Sequence, residues 1–205
     1  MQIQRLLGQY LEANVYVLTN DKNESLIIDS GATVQDVKSA VGSSKVVAIL
    51  LTHGHYDHSA FANEYAKFFD CPIYASNHIK QTMTDGEAIY SEDHSTINDF
   101  SRFVFIEDDQ KLKLGDFEID CFYTPGHSVC CECYLIENNL FAGDVLFNGG
   151  IGRTDLKFSS KKQMISSLNK LGSVKFETAF SGHGEQSDYD FQMKNIKIFT
   201  KFLTR

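Results

Sequence analysis

Thr52-His53-Gly54-His55-Tyr56-Asp57-His58 packs three imidazoles and a carboxylate into seven residues. Lys45-Val46-Val47-Ala48-Ile49-Leu50-Leu51 precedes it, an apolar, β-branched run of strand length. Ser59–Phe69 follows and reads as a helix, with Phe61, Tyr65, Phe68 and Phe69 at the spacing of a core face. The seven residues are therefore a tight loop between a buried strand and a helix. Side chains on such a loop converge at the carboxyl end of the strand, where open α/β sheets bind ligands. Imidazole combined with carboxylate suits zinc, iron or manganese. The plain alternative is a solvated cluster of surface histidines.

Toward the amino end, Met1–Leu7 and Asn14–Thr19 alternate as strands, and Ser25–Asp29 is a third. Thr33 reads as the N-cap of a helix over Val34–Val41, with Asp36 completing a capping box and Gly42 ending it. Toward the carboxyl end, Cys71–Ala75 is a short strand. Ser76–Asp109 is acidic and weakly periodic, the character of a lid or substrate-shaping loop. Its His78 and His94 have no metal-competent neighbour at close spacing and read as surface groups. Leu112–Leu114 and Phe117–Tyr123 form a hairpin around Gly115-Asp116. Tyr134–Ile136, Leu140–Ala142 and Glu177–Phe180 are further strands, and Ser160–Leu171 is a helix. Tyr189–Leu203 is a second helix, with Phe191, Ile196, Phe199 and Phe202 placed on its buried face. Strands then helix, twice over, predict an α/β (α+β) chain of two β-sheets packed face to face with helices outside.

Three more strand-end loops carry one candidate each beside a glycine: His127 after Gly126, Asp144 after Gly143, and His183 after Gly182. One such loop means little; four of the same kind in one chain point to a shared site. Glycine lets the backbone turn sharply and lets a neighbouring side chain approach a metal closely.

A chain of 205 residues, with two prolines and no Gly/Ser-rich linker, is expected to form one domain over residues 1–205. The net charge of −8 argues against a nucleic-acid partner, since no basic patch offsets it. No run approaches the ~18 apolar residues of a membrane span. Met1–Leu7 lacks the basic-then-apolar pattern of a signal peptide. Five cysteines, an odd number, read as free thiols in a reducing compartment, so a cytoplasmic location is expected. Cys71, Cys130, Cys131 and Cys133 read as packing groups, and strand alternation would send Cys130 and Cys131 to opposite faces.

Thr52–His58, Thr124-Pro125-Gly126-His127, Gly143-Asp144 and Ser181-Gly182-His183 resemble, in order and spacing, the metal motifs of the metallo-β-lactamase superfamily. The resemblance implies an αββα sandwich with two divalent metal ions, zinc first and iron or manganese as alternatives. By that analogy His53, His55 and His127 bind one metal. Asp57, His58 and His183 bind the second, and Asp144 bridges both. The implied chemistry is attack by a metal-bridging hydroxide on a carbonyl, with Asp57 orienting the nucleophile. Gly150-Ile151-Gly152-Arg153-Thr154-Asp155-Leu156 looks like the short glyoxalase II-like (hydroxyacylglutathione hydrolase-like) branch. That branch implies a small-molecule thioester substrate such as S-D-lactoylglutathione, with Arg153 as a substrate contact. An Arg153–Asp155 ion pair is the competing reading of the same residues. Tyr134 reads as core. A mononuclear-iron persulfide dioxygenase and a lactone hydrolase of the same superfamily share these motifs and remain as alternatives. A β-lactamase is disfavoured, because those enzymes commonly place Cys where Asp144 stands.

Overall fold

In the computed structural model, which describes residues 1–204, two six-stranded mixed sheets stack face to face. The first sheet runs β1 (Gln2–Leu7), β2 (Asn14–Thr19), β3 (Glu24–Ile28), β4 (Lys45–Leu50), β5 (Ile73–Ser76) and β6 (Phe103–Ile106), in that spatial order. Its first three strands are antiparallel, and β3 to β6 are parallel. The parallel joints need crossovers, and helices supply them. α1 (Val34–Val41) links β3 to β4, while α2 (Tyr56–Ser59) and α3 (Ala62–Phe69) link β4 to β5. A short helix, α4 (Ile79–Met83), follows β5.

The second sheet contains β7 (Lys111–Leu114), β8 (Phe117–Tyr123), β9 (Glu132–Ile136), β10 (Asn139–Gly143), β13 (Thr178–Ser181) and β14 (Ser187–Asp188). A small ribbon, β11 (Leu146–Phe147) with β12 (Gly150–Ile151), stands beside it. α5 (Lys161–Leu171) and α6 (Tyr189–Leu203) cover its outer face.

Strand alternation sorts the apolar residues into three layers. On β2, Tyr16 and Leu18 point between the sheets, and Val15 and Val17 point to the helices. On β3, Leu26 and Ile28 join the middle layer while Ile27 faces out. A register shift at Val47 keeps Ala48 and Leu50 in the middle layer and Ile49 under the helices. Phe117, Ile119, Tyr134, Ile136, Phe141 and Phe180 close that layer from the second sheet. Strands buried on both faces read as continuous apolar runs, as Lys45–Leu51 does.

The caps fall as expected. Thr33 accepts from the Asp36 N–H, and Ser160 accepts from Gln163. Four expectations need correction. The helix anticipated over Ser59–Phe69 is two helices, because the Phe61 N–H turns away to the Ser30 carbonyl at 3.0 Å. Phe68 is half exposed, beside the Lys38 ammonium at 5.5 Å, while Tyr65 carries the buried face. On α6, Phe191 and Phe202 face outward; Gln192 and Asn195 take the inner positions and hold the Phe147 and Gly150 carbonyls. The irregular stretch 76–109 hides α4 and the edge strand β6.

Glu132, at the start of β9, is buried, and its Oε1 has no partner. Burial, reinforced by Asp108 and Asp109, pushes its carboxyl up to about 9. The folded chain thus keeps a proton that the unfolded chain releases near the ordinary value of 4.5. Stability from this group is full below that value and is lost as pH rises from about 4.5 to about 9. Glu132→Gln removes the penalty. It is expected to raise the melting temperature at pH 8 by several degrees, about 2 kcal/mol, and to have little effect at pH 4.5. An unchanged difference between the two pH values would remove Glu132 from this role.

Candidate metal centre

Four loops meet where the two sheets abut. The loop after β4 brings His53 and His55, and α2, which begins at Tyr56 inside the stretch expected to be loop, brings Asp57 and His58; the loops after β8, β10 and β13 bring His127, Asp144 and His183. All but His183 are buried. Bonds across the seam set the loops against one another. Glu132 N–H donates to the Thr52 carbonyl at 2.8 Å, Tyr134 Oη to Leu51 at 2.7 Å, and Tyr16 Oη to Ser181 at 2.7 Å. This contact places Tyr134 in the core, as read from sequence.

Hydrogen bonding at the outer edge of each ring decides which nitrogen carries the proton, and so which lone pair faces inward. His127 Nδ1 donates to the Arg153 carbonyl at 3.1 Å, and His183 Nδ1 to the Leu11 carbonyl at 3.1 Å. His58 Nδ1 donates to Asp29 Oδ2 at 2.9 Å. Thr52 spends its one hydroxyl proton on Asp29 Oδ2, so its oxygen receives the His53 Nδ1 proton at 3.1 Å. All four rings therefore present Nε2 lone pairs inward. His55 presents Nδ1, 3.0 Å from the Nε2 atoms of both His53 and His127. Its own Nε2 and Asp144 Oδ1 are buried without a partner.

Three lone pairs at 3.0 Å repel unless a cation lies between them. That donor set fits a divalent ion. Asp57 Oδ2 stands 3.2 Å from His183 Nε2 and 3.5 Å from His58 Nε2, a second group of the same kind. Asp144 reaches both groups: its carboxylate lies 3.4 Å from His127 Nε2, 3.4 Å from His58 Nε2 and 3.6 Å from His183 Nε2.

The electrostatics divide along the same line. Burial, together with the neighbouring rings, holds His53 and His55 well below the usual histidine range. Burial lowers His127 as well, against the pull of Asp144. On the other side, burial opposes charge on His58, but Asp57, Asp144 and Asp29 overcome it and raise its affinity for a second proton at Nε2, the position where a bound cation would answer the same carboxylates. Burial opposes ionisation of Asp57, but His58 and His183 hold it well below the usual carboxylate range. One half is thus a neutral imidazole cage and the other a carboxylate–imidazole cage.

Two supports escaped the sequence reading. Asp29 ends β3 in a left-handed conformation (φ 62°) and accepts from Thr52 N at 2.7 Å, Thr52 Oγ1 at 2.8 Å and His58 Nδ1 at 2.9 Å. The signal was present: an acidic residue at a strand end followed by Ser30-Gly31. Tyr90 lays its ring edge against His55 at 5.2 Å, also from a left-handed backbone (φ 56°). Nothing in its local sequence marks it. Gly182 is required by close approach, since a Cβ there would strike Asp144 Oδ1 and the His58 ring.

Arg153 sends its carbonyl to His127, while its guanidinium makes a two-pronged, exposed pair with Asp155 at 2.9 and 3.0 Å. All five cysteines are free and buried. Cys130 joins the helix-side layer of the first sheet and Cys131 that of the second. His78 stacks on Tyr123, and His94 bonds the Gly86 carbonyl; both lie away from the centre.

Residues 9–183 match the family described as the Metallo-beta-lactamase superfamily. The chain belongs to that superfamily. Within the family it is 32% identical over 188 residues to a probable metallo-hydrolase, YqgX, of Bacillus subtilis, covering 87% of this chain and 88% of that one. It is 30% identical over 191 residues to a hydroxyacylglutathione hydrolase of Salmonella typhi, covering 92% of this chain. The chain spans 66% of the length of that enzyme. Among solved structures, the BLEG-1 B3 metallo-beta-lactamase superposes with a TM-score of 0.88 at 28% identity, over 97% of this chain and all of that one.

Proposed function

We propose that the chain is a single-domain, binuclear metal-dependent hydrolase of a small-molecule thioester or ester. The observation that carries this reading is the convergence of three imidazole nitrogens, with His55 Nδ1 at 3.0 Å from Nε2 of both His53 and His127, beside a carboxylate-rich second group. His53, His55 and His127 would hold one ion; Asp57, His58 and His183 would hold the other, and Asp144 would lie between them. Two divalent ions, zinc first by the donor set, would supply activation of water near neutral pH and Lewis-acid polarisation of a carbonyl. The chain's own work is positional. Asp29 and the Arg153 and Leu11 carbonyls lock the outer ring nitrogens. Asp57 stays ionised and aims an acceptor oxygen at the nucleophile. Burial keeps bulk water from competing with the ligands.

The glyoxalase II-like reading, with S-D-lactoylglutathione as substrate, draws on the similarity to hydroxyacylglutathione hydrolase and on the Gly-Arg-Thr-Asp-Leu stretch. The BLEG-1 similarity favours trying a β-lactam beside it. No helix among the described residues is long and apolar enough to cross a membrane. The free, buried thiols support a cytoplasmic location.

The test is metal content and turnover on one sample. Protein purified with its native metal is expected to carry about two ions per chain and to hydrolyse S-D-lactoylglutathione, another thioester or a lactone. Two ions with no hydrolysis of any ester, thioester or β-lactam would overturn the reading. One iron with oxygen uptake on a persulfide would replace it with the dioxygenase.

A further inference from the structure

We propose that the mouth of this centre selects an uncharged, apolar acyl chain and disfavours anionic conjugates. The proposal rests on the hydrolase reading and names its substrate class. Three apolar or aromatic residues, each at least partly exposed, lie against candidate ligand histidines. Leu11 is 81% exposed, in a left-handed turn (φ 51°) whose carbonyl is fixed by His183 Nδ1. The Phe147 ring lies 6.1 Å from the His183 ring. Tyr90, 44% exposed, stands against the His55 ring at 5.2 Å. Its hydroxyl is pinned by the Lys157 N–H at 2.7 Å, which holds an aromatic residue in a backbone conformation it otherwise avoids. Exposed apolar groups clustered at a concave site mark what the site accepts.

The charges around the opening give the other half of the argument. Arg153 is occupied by both Asp155 oxygens. The Lys157 ammonium sits between Asp85 and Glu87, at 2.8 and 2.9 Å. Arg5, beside His183, pairs with Glu185 at 2.9 Å while binding the Gly184 carbonyl. These three cations face four carboxylates. An anionic tail reaching these residues meets cations already shared with carboxylates and must compete for them. Removing one carboxylate should free a cation and make the site more open to anions.

The experiment uses metal-loaded protein and two readouts. The first is hydrolysis of S-acyl-N-acetylcysteamine thioesters from acetyl to octanoyl, beside S-D-lactoylglutathione. kcat/KM is expected to rise about two- to fourfold per methylene until the rim is filled, and the Leu11→Ser/Phe147→Ser double variant should flatten that rise. The second is calorimetric binding of two thioethers that cannot be hydrolysed, S-hexyl-N-acetylcysteamine and its 5-carboxypentyl counterpart. The neutral compound is expected to bind at least about tenfold tighter, and Asp155→Asn should narrow the gap by freeing Arg153. A flat acyl series, or tighter binding of the carboxylate, would overturn the proposal and leave the hydrolase reading in place. Neutral-selective binding without any hydrolysis would keep the rim and remove the hydrolase.

Discussion

His55→Ala is expected to empty the three-imidazole group and to cut hydrolysis by about a thousandfold or more. Its Nδ1 is the atom shared at 3.0 Å by His53 and His127, so without it two lone pairs remain where three converge. His53, His127 and the shared Asp144 carboxylate are expected to hold a divalent ion far more weakly than the full set. The second group is expected to keep its ion, because Asp57, His58 and His183 do not touch the substituted ring nitrogen. The readout is metal stoichiometry before and after desalting, with circular dichroism as the fold control. Full occupancy in a folded His55→Ala protein would contradict the ligand assignment. Loss of both ions would mean that the two groups bind cooperatively.

Asp29→Ala is the second large effect, and it acts through donors. Three buried donors end on this carboxylate: the Thr52 N–H, the Thr52 hydroxyl and the His58 Nδ1–H. Truncation strands all three, at about 3–5 kcal/mol, or about 10 °C in melting temperature for a chain of this size. It also releases His58 to rotate and, through Thr52, removes the constraint that fixes the His53 proton. Metal affinity should therefore fall with stability. Asp29→Asn keeps the volume and one acceptor, and an intermediate loss is expected. A melting curve of Asp29→Ala within two degrees of the unchanged protein, at equal metal load, would show that Asp29 carries no such strain.

The seven candidate ligands were legible because each lies in a loop or first helical turn that follows a strand, where spacing and glycine punctuation are strong local signals. The same was true of the strands: two-residue alternation appears plainly in Phe117–Tyr123, while Asn14–Thr19 reads as the continuous apolar run of a strand buried on both faces. What escaped notice depended on contacts distant in sequence. Phe61 breaks its helix because a carbonyl from Ser30 is near, which no local window reveals. Phe191 and Phe202 fit an apolar stripe, yet Gln192 and Asn195 won the inner face because the ribbon's carbonyls needed donors there. β6 is a strand only because β5 offers it an edge. Tyr90 reaches His55 through a loop held by Lys157, some seventy residues away.

The ligand loops belong to different halves of the sandwich: His53, His55, Asp57 and His58 follow a strand of one sheet, and His127, Asp144 and His183 follow strands of the other. Ions held by both sets would act as cross-links between layers otherwise joined chiefly by apolar contact. By mass action such a cross-link adds about 4 kcal/mol once the metal stands a thousandfold above its dissociation constant. The survival of the folded chain would thereby be coupled to metal supply. Under the proposed function, a cell short of the ion would lose the protein to proteolysis as well as its activity, because the groups proposed to perform the chemistry would also fasten the two halves together.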